Sequence, residues 1–387
     1  MSLFSKKHDT IFLYAVLILV AMGIIFQFSA SSKINVSSEQ YYNPNHFLIN
    51  HLVRLAVAIL IALPFYFIHY KKLKKYTPYL LFITLGLLIF ALIYNKMHPH
   101  PTGTARWITI GPMTIQPSEF AKLALIFFIA AFYEDFQNNL NSFAFGFLPV
   151  IIVAVIYFFL IVAGKDFSTA GVTILIAGIV LIAGGAKFRH WVWGIVLFAL
   201  SSIGAIIIRP YRITRIKQYL HILKGDIPIK EMPYQIRHSL VSLGNGRLIG
   251  TGLGDSTGKN EFLPEPNTDF IFSIVGEETG FLGALFILGL FLFIFYRGLK
   301  IAERSDDIFG SLLAFGLISS LFVYTLLNIG VTCGLLPVTG LPLPFISYGG
   351  TAVLFNSIAV ALLLNISKGK LNNESIIKSR IINTHAE

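Results

Sequence analysis

Ten long apolar runs recur along this chain, and they constrain its fold more than any other feature. A bilayer core of about 30 Å takes roughly 20 residues of helix to cross. The qualifying windows lie near residues 11–29, 52–68, 78–94, 118–133, 145–163, 168–185, 191–208, 270–296, 309–332 and 351–366. The alternating segments of about ten residues that build membrane β-barrels are absent. The sequence therefore predicts an all-α integral membrane protein with about ten transmembrane helices.

The charge content supports one membrane-embedded domain over residues 1–387. Hydrophobic residues make up 55% of the 387 positions and charged residues only 13%, whereas soluble domains carry nearer a quarter charged residues. The net charge is +11, but the basic residues occur in clusters between apolar runs. That distribution argues against nucleic acid as a partner and favours anionic lipid headgroups or a lipid-linked phosphate. The single cysteine, Cys333, excludes an intrachain disulfide and a cysteine-rich metal site.

Lysine and arginine are distributed unevenly between the two sides that these helices would define. With the amino terminus inside, the inside segments hold 15 of these residues and the short outside loops hold 4. Because cytoplasmic loops carry the excess of basic residues, we expect both termini to be cytoplasmic. Residues 209–268 then form a long exterior loop between helices 7 and 8, and residues 368–387 form a loose cytoplasmic tail.

Two pairs of charged residues stand out inside the apolar windows, where ionised groups are costly. Glu119 and Lys122 lie three residues apart near the start of the fourth helix, so they share a face and can pair. They form either a helix-end ion pair that reaches the membrane interface or a polar floor beneath an exterior cavity. Glu277 and Glu278 are adjacent in the eighth window and face different ways. We expect at least one of them to cap or pair internally, and no joint role as a carboxylate dyad.

Asp269 stands where the long loop enters the eighth helix. Either Thr268 or Asp269 could cap that helix, since short polar side chains accept hydrogen bonds from its first N–H groups. An acid at the rim of a membrane cavity is also well placed to be a general base for a polar headgroup. Neighbouring Glu265 is a candidate second carboxylate.

Three features of the exterior segments bear on binding. The loop opens with a basic run that includes Arg212 and Arg215, which would either anchor it to anionic lipid or clamp a pyrophosphate. The glycine-rich run 244–254 allows tight turns and close backbone approach, but it lacks the strand that a dinucleotide site requires. Leu335–Gly350, which contains Ser347, holds three prolines and three glycines. It is therefore rigid and non-helical, either as a structural re-entrant loop or as a wall that contacts lipid.

Four of these segments closely resemble the signature sequences of the SEDS family, which comprises FtsW, RodA and SpoVE. They are ARWITIGPMTIQPSEFAK at 105–122, RPYRITRI at 209–216, FLPEPNTDFIFSIVGEETGFLG at 262–283 and NIGVTCGLLPVTGLPLPFISYGG at 328–350. The resemblance runs from the first helix to the last, in the same order.

The resemblance implies a peptidoglycan glycosyltransferase that joins lipid II units onto a growing glycan lipid at the outer face of the bacterial cytoplasmic membrane. Its partners would be a class B penicillin-binding protein and other division or elongation proteins. The family's essential aspartate falls on Asp269, and its other sensitive positions fall on Arg106, Glu119, Lys122 and Asp166. Arg212, Arg215, Glu265 and Ser347 are further candidate substrate contacts, and a divalent cation such as Mg²⁺ is a candidate cofactor.

The resemblance also has departures and leaves alternatives open. This chain differs from the usual family residue at five positions. The family usually has His at the position of Asn267, Pro at Lys165 and Ser at Thr351, and it has Gly at the positions of Ser168 and Arg247. The runs GLGDS, LLPVTGLPLPFISYGG and LLLNISK favour an FtsW-like division role over a RodA-like elongation role. A lipid II flippase and an inactive scaffold for a penicillin-binding protein are the competing functions. A transporter would show paired broken helices in two halves, and we find no such correspondence.

Overall fold

The computed structural model describes residues 8–31, 44–98, 105–110, 113–137, 142–186, 219–221, 224, 232–256, 258 and 268–384. Its helices are α1 (Thr10–Ser31), α2 (Pro44–Phe67), α3 (Tyr70–Lys74), α4 (Thr77–Met97), α5 (Pro117–Asp135), α6 (Leu148–Ala163), α7 (Phe167–Ala183), α8 (Tyr234–Asn245), α9 (Ile271–Glu303), α10 (Ile308–Thr332) and α11 (Gly350–Thr384). A π-helical turn, Phe143–Phe147, leads into α6. Strands β1 (Ile108–Ile110) and β2 (Met113–Ile115) form a short antiparallel hairpin between α4 and α5.

The helices confirm an all-α membrane architecture. Within the described residues, seven helical stretches are long and apolar enough to cross a bilayer: Thr10–Ser31, Leu48–Phe67, Thr77–Met97, Phe143–Ala163, Ile271–Glu303, Ile308–Thr332 and Gly350–Gly369. The predicted span 168–185 corresponds to α7, which is apolar but has only 17 residues. The predicted span 118–133 corresponds to α5, a 19-residue helix that contains four charged residues. The predicted span 191–208 lies outside the described residues.

The spans divide into central and peripheral helices. Buried residues make up 67% of the apolar window of α10 and 72% of that of α11, but only 17% in α2 and 22% in α4. The peripheral helices expose large apolar side chains such as Leu60 and Phe82, as lipid-facing helices do. The buried core joins residues of α1, α5, α7, α9, α10 and α11.

Ion pairs gather at one end of the bundle. Asp9 accepts a hydrogen bond of 2.5 Å from Arg297, and Lys71 lies 2.9 Å from Asp307. All four residues belong to segments that the distribution of basic residues predicts to be inside. We call this end of the bundle, with the loops 68–76 and 304–307, the basic end; the hairpin and the segment 333–349 lie at the opposite end.

The helix α9 is broken at Gly280, which has φ 68° and ψ −170°. The glycine-rich run packs into the break, so that a Cβ on Gly280 would collide with the backbone of Ile249 and Gly250. The loop also satisfies backbone groups around the break, because Phe281 N–H donates to the carbonyl of Arg247 at 2.9 Å. The close backbone approach predicted from the glycines is therefore confirmed, and part of the long loop lies beside a membrane-spanning helix.

Candidate functional site

Asp269 lies just before α9 and is partly exposed. The N-cap of the helix is Phe270, and it makes no side-chain cap hydrogen bond. The helix-cap interpretation of Thr268 and Asp269 is therefore wrong. The carboxylate lies against Gly340, where an added Cβ would be 3.3 Å from Oδ2. Gly340 has φ 71°, so glycine suits that position both for its backbone and for its small size.

Two buried side chains bind the backbone around Asp269 to the segment 333–349. Asn328 Nδ2 donates to the carbonyl of Asp269 at 2.9 Å and to that of Leu341 at 2.8 Å. Ser347 Oγ donates to the carbonyl of Thr268 at 2.5 Å and accepts from a backbone N–H four residues before it at 2.7 Å. Asn328 and Ser347 are each 2% exposed. The Ser347 hydroxyl is thus committed to the backbone, and its predicted substrate contact stays a prediction.

Glu119 and Lys122 form a buried ion pair in the first turns of α5. Lys122 Nζ lies 2.7 Å from Glu119 Oε2, and both side chains are at most 4% exposed. The Tyr324 hydroxyl donates to the other Glu119 oxygen at 2.9 Å. The ammonium also lies 3.8 Å from the ring centres of Tyr324 and Phe355, a favourable cation–π geometry. The alternative of an interfacial, solvent-reaching ion pair is therefore wrong.

Asp166 is buried at the start of α7 and collects several donors. Its carboxylate accepts hydrogen bonds from Gln116 Nε2 at 2.9 Å and from Thr169 N–H at 3.3 Å. Arg106 Nη1 lies 3.7 Å away. Burial raises the pKa of the Asp166 carboxyl, and the Glu119 carboxylate adds to that rise, whereas Arg106 and Thr169 oppose it. Asp166 thus fixes the hairpin segment and the start of α7 together.

The Glu119–Lys122 ion pair and the donors around Asp166 lie next to each other at the start of α5. Gln116 is the N-cap of α5, Glu119 and Lys122 lie in its first turns, and the Glu119 carboxylate is close enough to Asp166 to raise the pKa of its carboxyl group. We call the following set the polar column: Arg106, Gln116, Glu119, Lys122, Asp166 and Tyr324.

The helix α10 connects the polar column to the neighbourhood of Asp269. Tyr324 contacts Glu119, and Asn328 contacts the backbone of Asp269. Residues four apart in a helix are neighbours with Cβ atoms about 5–6 Å apart. A single helix therefore contacts the polar column and the backbone of Asp269 through two side chains that lie one helical turn apart.

Glu277 and Glu278 have separate partners, as their adjacency predicts. Glu277 accepts hydrogen bonds from Ser256 Oγ at 2.5 Å and from Asn245 Nδ2 at 3.3 Å, both in the long loop. Glu278 accepts one from Ser29 Oγ of α1 at 2.5 Å. The prediction of internal pairing is confirmed: one carboxylate anchors the loop to α9, and the other joins α9 to α1.

The departures from the family pattern have structural correlates. Lys165 has φ 64°, which a proline ring cannot adopt, so the turn before Asp166 differs from one built on proline. Arg247 has φ 48°, in the region that glycine adopts readily. Thr351 Oγ1 accepts from Gln116 N–H at 3.0 Å and donates to the carbonyl of Thr114 at 3.2 Å. A serine hydroxyl could form the same pair of bonds.

Arg212, Arg215, Glu265 and Asn267 lie outside the described residues. Within the described ranges, no group of three or more His, Cys, Asp or Glu residues could hold a metal ion.

Sequence reasoning missed Gln116, Tyr324 and Asn328. All three are polar residues within or next to apolar helices, and two of them, Gln116 and Asn328, lie inside the signature segments. A search for amide and hydroxyl groups in the spans would have found them, because buried polar groups in a membrane need partners.

Comparison with known proteins agrees with the fold and with the motifs. The family model FTSW_RODA_SPOVE, described as cell cycle protein, matches residues 9–372. Stage V sporulation protein E of Bacillus subtilis strain 168 is 36% identical over 362 residues, which cover 93% of this chain and 97% of that protein. The probable peptidoglycan glycosyltransferase FtsW of Trichlorobacter lovleyi is 34% identical over 364 residues, 94% of each chain.

Two solved structures share the fold. One is the Thermus thermophilus rod shape determining protein RodA, with a TM-score of 0.69 and 23% identity over 95% of this chain and 98% of that one. The other, from work on structural coordination of polymerization and crosslinking by a peptidoglycan synthase complex, has a TM-score of 0.75 and 23% identity over 94% and 98%. With the family model matching almost the whole chain, this multi-pass membrane protein belongs to the FtsW/RodA/SpoVE family.

Proposed function

We propose that this protein is a peptidoglycan glycosyltransferase that polymerises lipid II at the outer face of the bacterial cytoplasmic membrane. The observation that carries the proposal is the setting of Asp269. Its carboxylate is partly exposed, while buried Asn328 and Ser347 hold the backbone on either side of it. The probable FtsW enzymes among its relatives are named peptidoglycan glycosyltransferases.

In the proposed reaction, Asp269 accepts the proton of the 4-hydroxyl group of the acceptor sugar. That oxygen forms a bond to the anomeric carbon of the donor with inversion, and the bond from the anomeric carbon to the pyrophosphate oxygen breaks. Undecaprenyl pyrophosphate leaves with both bonding electrons. General-base assistance of this kind contributes typically ~10²–10⁴-fold. A carboxylate at the end of a spanning helix suits substrates whose polar parts lie at the membrane surface.

The leaving pyrophosphate requires positive charge, which matters at least as much as the base. Arg212 and Arg215 are the proposed contacts. Lys122 is enclosed by Glu119 and two aromatic rings, so its part is to orient the polar column rather than to touch the leaving group. Arg106, whose side chain is partly exposed beside Asp166, is a further proposed contact. A divalent cation such as Mg²⁺ is a proposed further counterion of the pyrophosphate, and no step depends on it.

The biological setting follows from the same relatives. The FtsW-like motifs favour septal synthesis in cell division, with a RodA-like elongation role as the alternative. A class B penicillin-binding protein is the proposed partner, since the structural neighbour comes from work on polymerization and crosslinking by one complex. Both termini would be cytoplasmic.

The test is lipid II polymerisation by purified protein with its cognate penicillin-binding protein, comparing wild type, Asp269→Asn and Asp255→Asn. Asp255 is an exposed carboxylate in the same exterior loop, so it controls for loss of negative charge there. We expect glycan strands from wild type and Asp255→Asn, and at least 10²-fold less from Asp269→Asn.

Equal product from all three would remove Asp269 as the base. No product from any variant in the presence of the partner would favour the flippase or scaffold function instead. Matching elution profiles of the three proteins in detergent would show that the substitutions leave the fold intact.

A further inference from the structure

A large cavity lies away from the candidate site, at the basic end of the bundle between α4, α5 and α6. Its volume is about 750 Å³, within the range of roughly 300–1,000 Å³ that is typical of ligand sites. Its walls are mostly apolar and include Leu81, Phe82, Leu85, Phe128, Phe132 and Val153. From Thr77 at the rim to Leu85, α4 rises about 12 Å. Half of a bilayer core is about 15 Å, so the cavity extends through most of one leaflet.

The rim of the cavity is basic. Lys71, Lys74 and Lys75 line it, against Asp135 as the acidic lining residue. Lys74 pairs with both Glu134 and Asp135, and Lys71 pairs with Asp307 while its side chain remains 54% exposed. Lys75 is exposed and makes no ion pair within the described part of the chain. Lys75 is therefore the lysine of the rim that no carboxylate in the described part of the chain neutralises.

The interior offers no matching polar site. Tyr157 is the polar residue on the inner wall, and its hydroxyl is already bonded to Thr84 Oγ1 at 2.8 Å and to the carbonyl of Leu81 at 2.9 Å. A ligand for this cavity must therefore be apolar over most of its length and anionic at one end. A soluble anion would leave the apolar wall uncovered, and a neutral lipid would leave Lys75 without an anionic partner.

We propose that this cavity binds one anionic phospholipid, with an acyl chain between α4, α5 and α6 and the phosphate beside Lys71 and Lys75. Basic pockets between transmembrane helices on the cytoplasmic side suit such headgroups. The bound lipid would fill the gap between α4 and α6 and hold the peripheral α4 against the bundle. The proposal is independent of the polymerase function, because it concerns the opposite end of the molecule.

Native mass spectrometry of the full-length protein in detergent tests the proposal. Phosphatidylglycerol and phosphatidylcholine with identical acyl chains are added at equal concentration, and the retained lipid is counted per protein. We expect phosphatidylglycerol to be retained preferentially. Lys75→Gln should lower that preference about fivefold, equivalent to ~1 kcal/mol for one basic residue near the surface. Lys72→Gln, an exposed neighbour that does not line the cavity, should leave it unchanged.

A second variant tests whether the lipid binds inside this cavity or elsewhere on the protein surface. Val153→Trp places a large side chain within the cavity and should remove the retained lipid from protein that still elutes as a folded monomer. Equal retention of both lipids, equal losses in Lys75→Gln and Lys72→Gln, or full retention in Val153→Trp would each overturn the proposal. Displacement of phosphatidylglycerol by glycerol phosphate alone would show that a soluble anion, and not a lipid, is the ligand.

Discussion

At the scale of single residues, Asn328 joins parts of the chain that are far apart in sequence. Its amide bonds to carbonyls 59 residues before it and 13 residues after it. Those carbonyls belong to Asp269 and to the proline-rich segment that packs against the carboxylate. An unsatisfied buried carbonyl costs about 1–3 kcal/mol, so the amide holds both segments in place. Tyr324, one turn earlier in α10, extends the same support to Glu119.

We predict that Asn328→Leu lowers polymerisation by at least tenfold. The substitution keeps the volume and removes both hydrogen bonds, and a displacement of about 1 Å at a catalytic group can cost ~10²-fold. Thr325→Val is the control, because Thr325 is equally buried on α10 but bonds only within its own helix, to Leu321. Initial rates with lipid II should fall in the first variant and stay within about twofold in the second. Similar rates in both variants would contradict a positioning role for Asn328.

We also predict that the ion pair in α5 is stabilising only as a pair. Lys122→Met leaves the Glu119 carboxylate buried without its cation, which typically costs about 3–5 kcal/mol. The double variant Glu119→Gln with Lys122→Met removes both charges and should melt at a higher temperature than the single variant. Thermal unfolding in detergent measures both. Equal melting temperatures for wild type and Lys122→Met would show that the pair contributes little.

At the scale of elements, the break in α9 makes room for the exterior loop. Helix breaks in membranes are tolerated where other groups satisfy the freed backbone, and here the carbonyls of Arg247 and Leu248 accept the N–H groups of Phe281 and Leu282. Glu277, just before the break, anchors the loop again through Ser256. The loop and α9 therefore form one structural unit that leads directly to Asp269.

We predict that Gly280→Ala destabilises this unit, because its positive φ is strained for alanine and the new Cβ meets the backbone of Ile249 and Gly250. Gly289→Ala in the same helix is the control, since a Cβ there meets nothing within 4 Å. Alanine favours helix over glycine by about 1 kcal/mol. Limited proteolysis should cut the loop of Gly280→Ala faster than that of wild type or Gly289→Ala. Equal cleavage of all three would contradict close packing of the loop on α9.

At the scale of the whole molecule, the two ends of the bundle differ in chemistry. The basic end carries ion pairs such as Lys71–Asp307 and the proposed lipid cavity. The opposite end carries Asp269, Asp166 and the hairpin. This difference fits the orientation expected from the basic residues. That orientation places the proposed glycosyl transfer on the exterior side and the proposed anionic lipid on the cytoplasmic side.

We predict opposite labelling of single cysteines introduced at the two ends. In a Cys333→Ala background, Asp255→Cys should react with a membrane-impermeant maleimide in intact spheroplasts. Lys75→Cys should react only after the membrane is opened, because the distribution of basic residues predicts that the basic end faces the cytoplasm. Both native residues are exposed in the fold. The reverse pattern would invert the orientation and place Asp269 inside.

The sequence by itself determined the membrane architecture and the family. Seven predicted spans are confirmed because length and apolar composition are local properties, and the signature segments could be read directly from the chain. The close backbone approach of the glycine-rich run 244–254 was also predictable, because glycine has no side chain to keep another backbone away. The separation of Glu277 from Glu278 followed from helical geometry.

The tertiary structure alone decided which polar groups meet. No local pattern indicated that Phe270 occupies the N-cap position, that Asn328 supports Asp269, or that Gln116 binds Asp166. Lys122 could equally have reached the interface, and only the packing of α5 against α10 and α11 encloses it. The physical reason is common to these cases. Each contact joins helices that are distant in sequence, and its geometry depends on how the whole bundle packs.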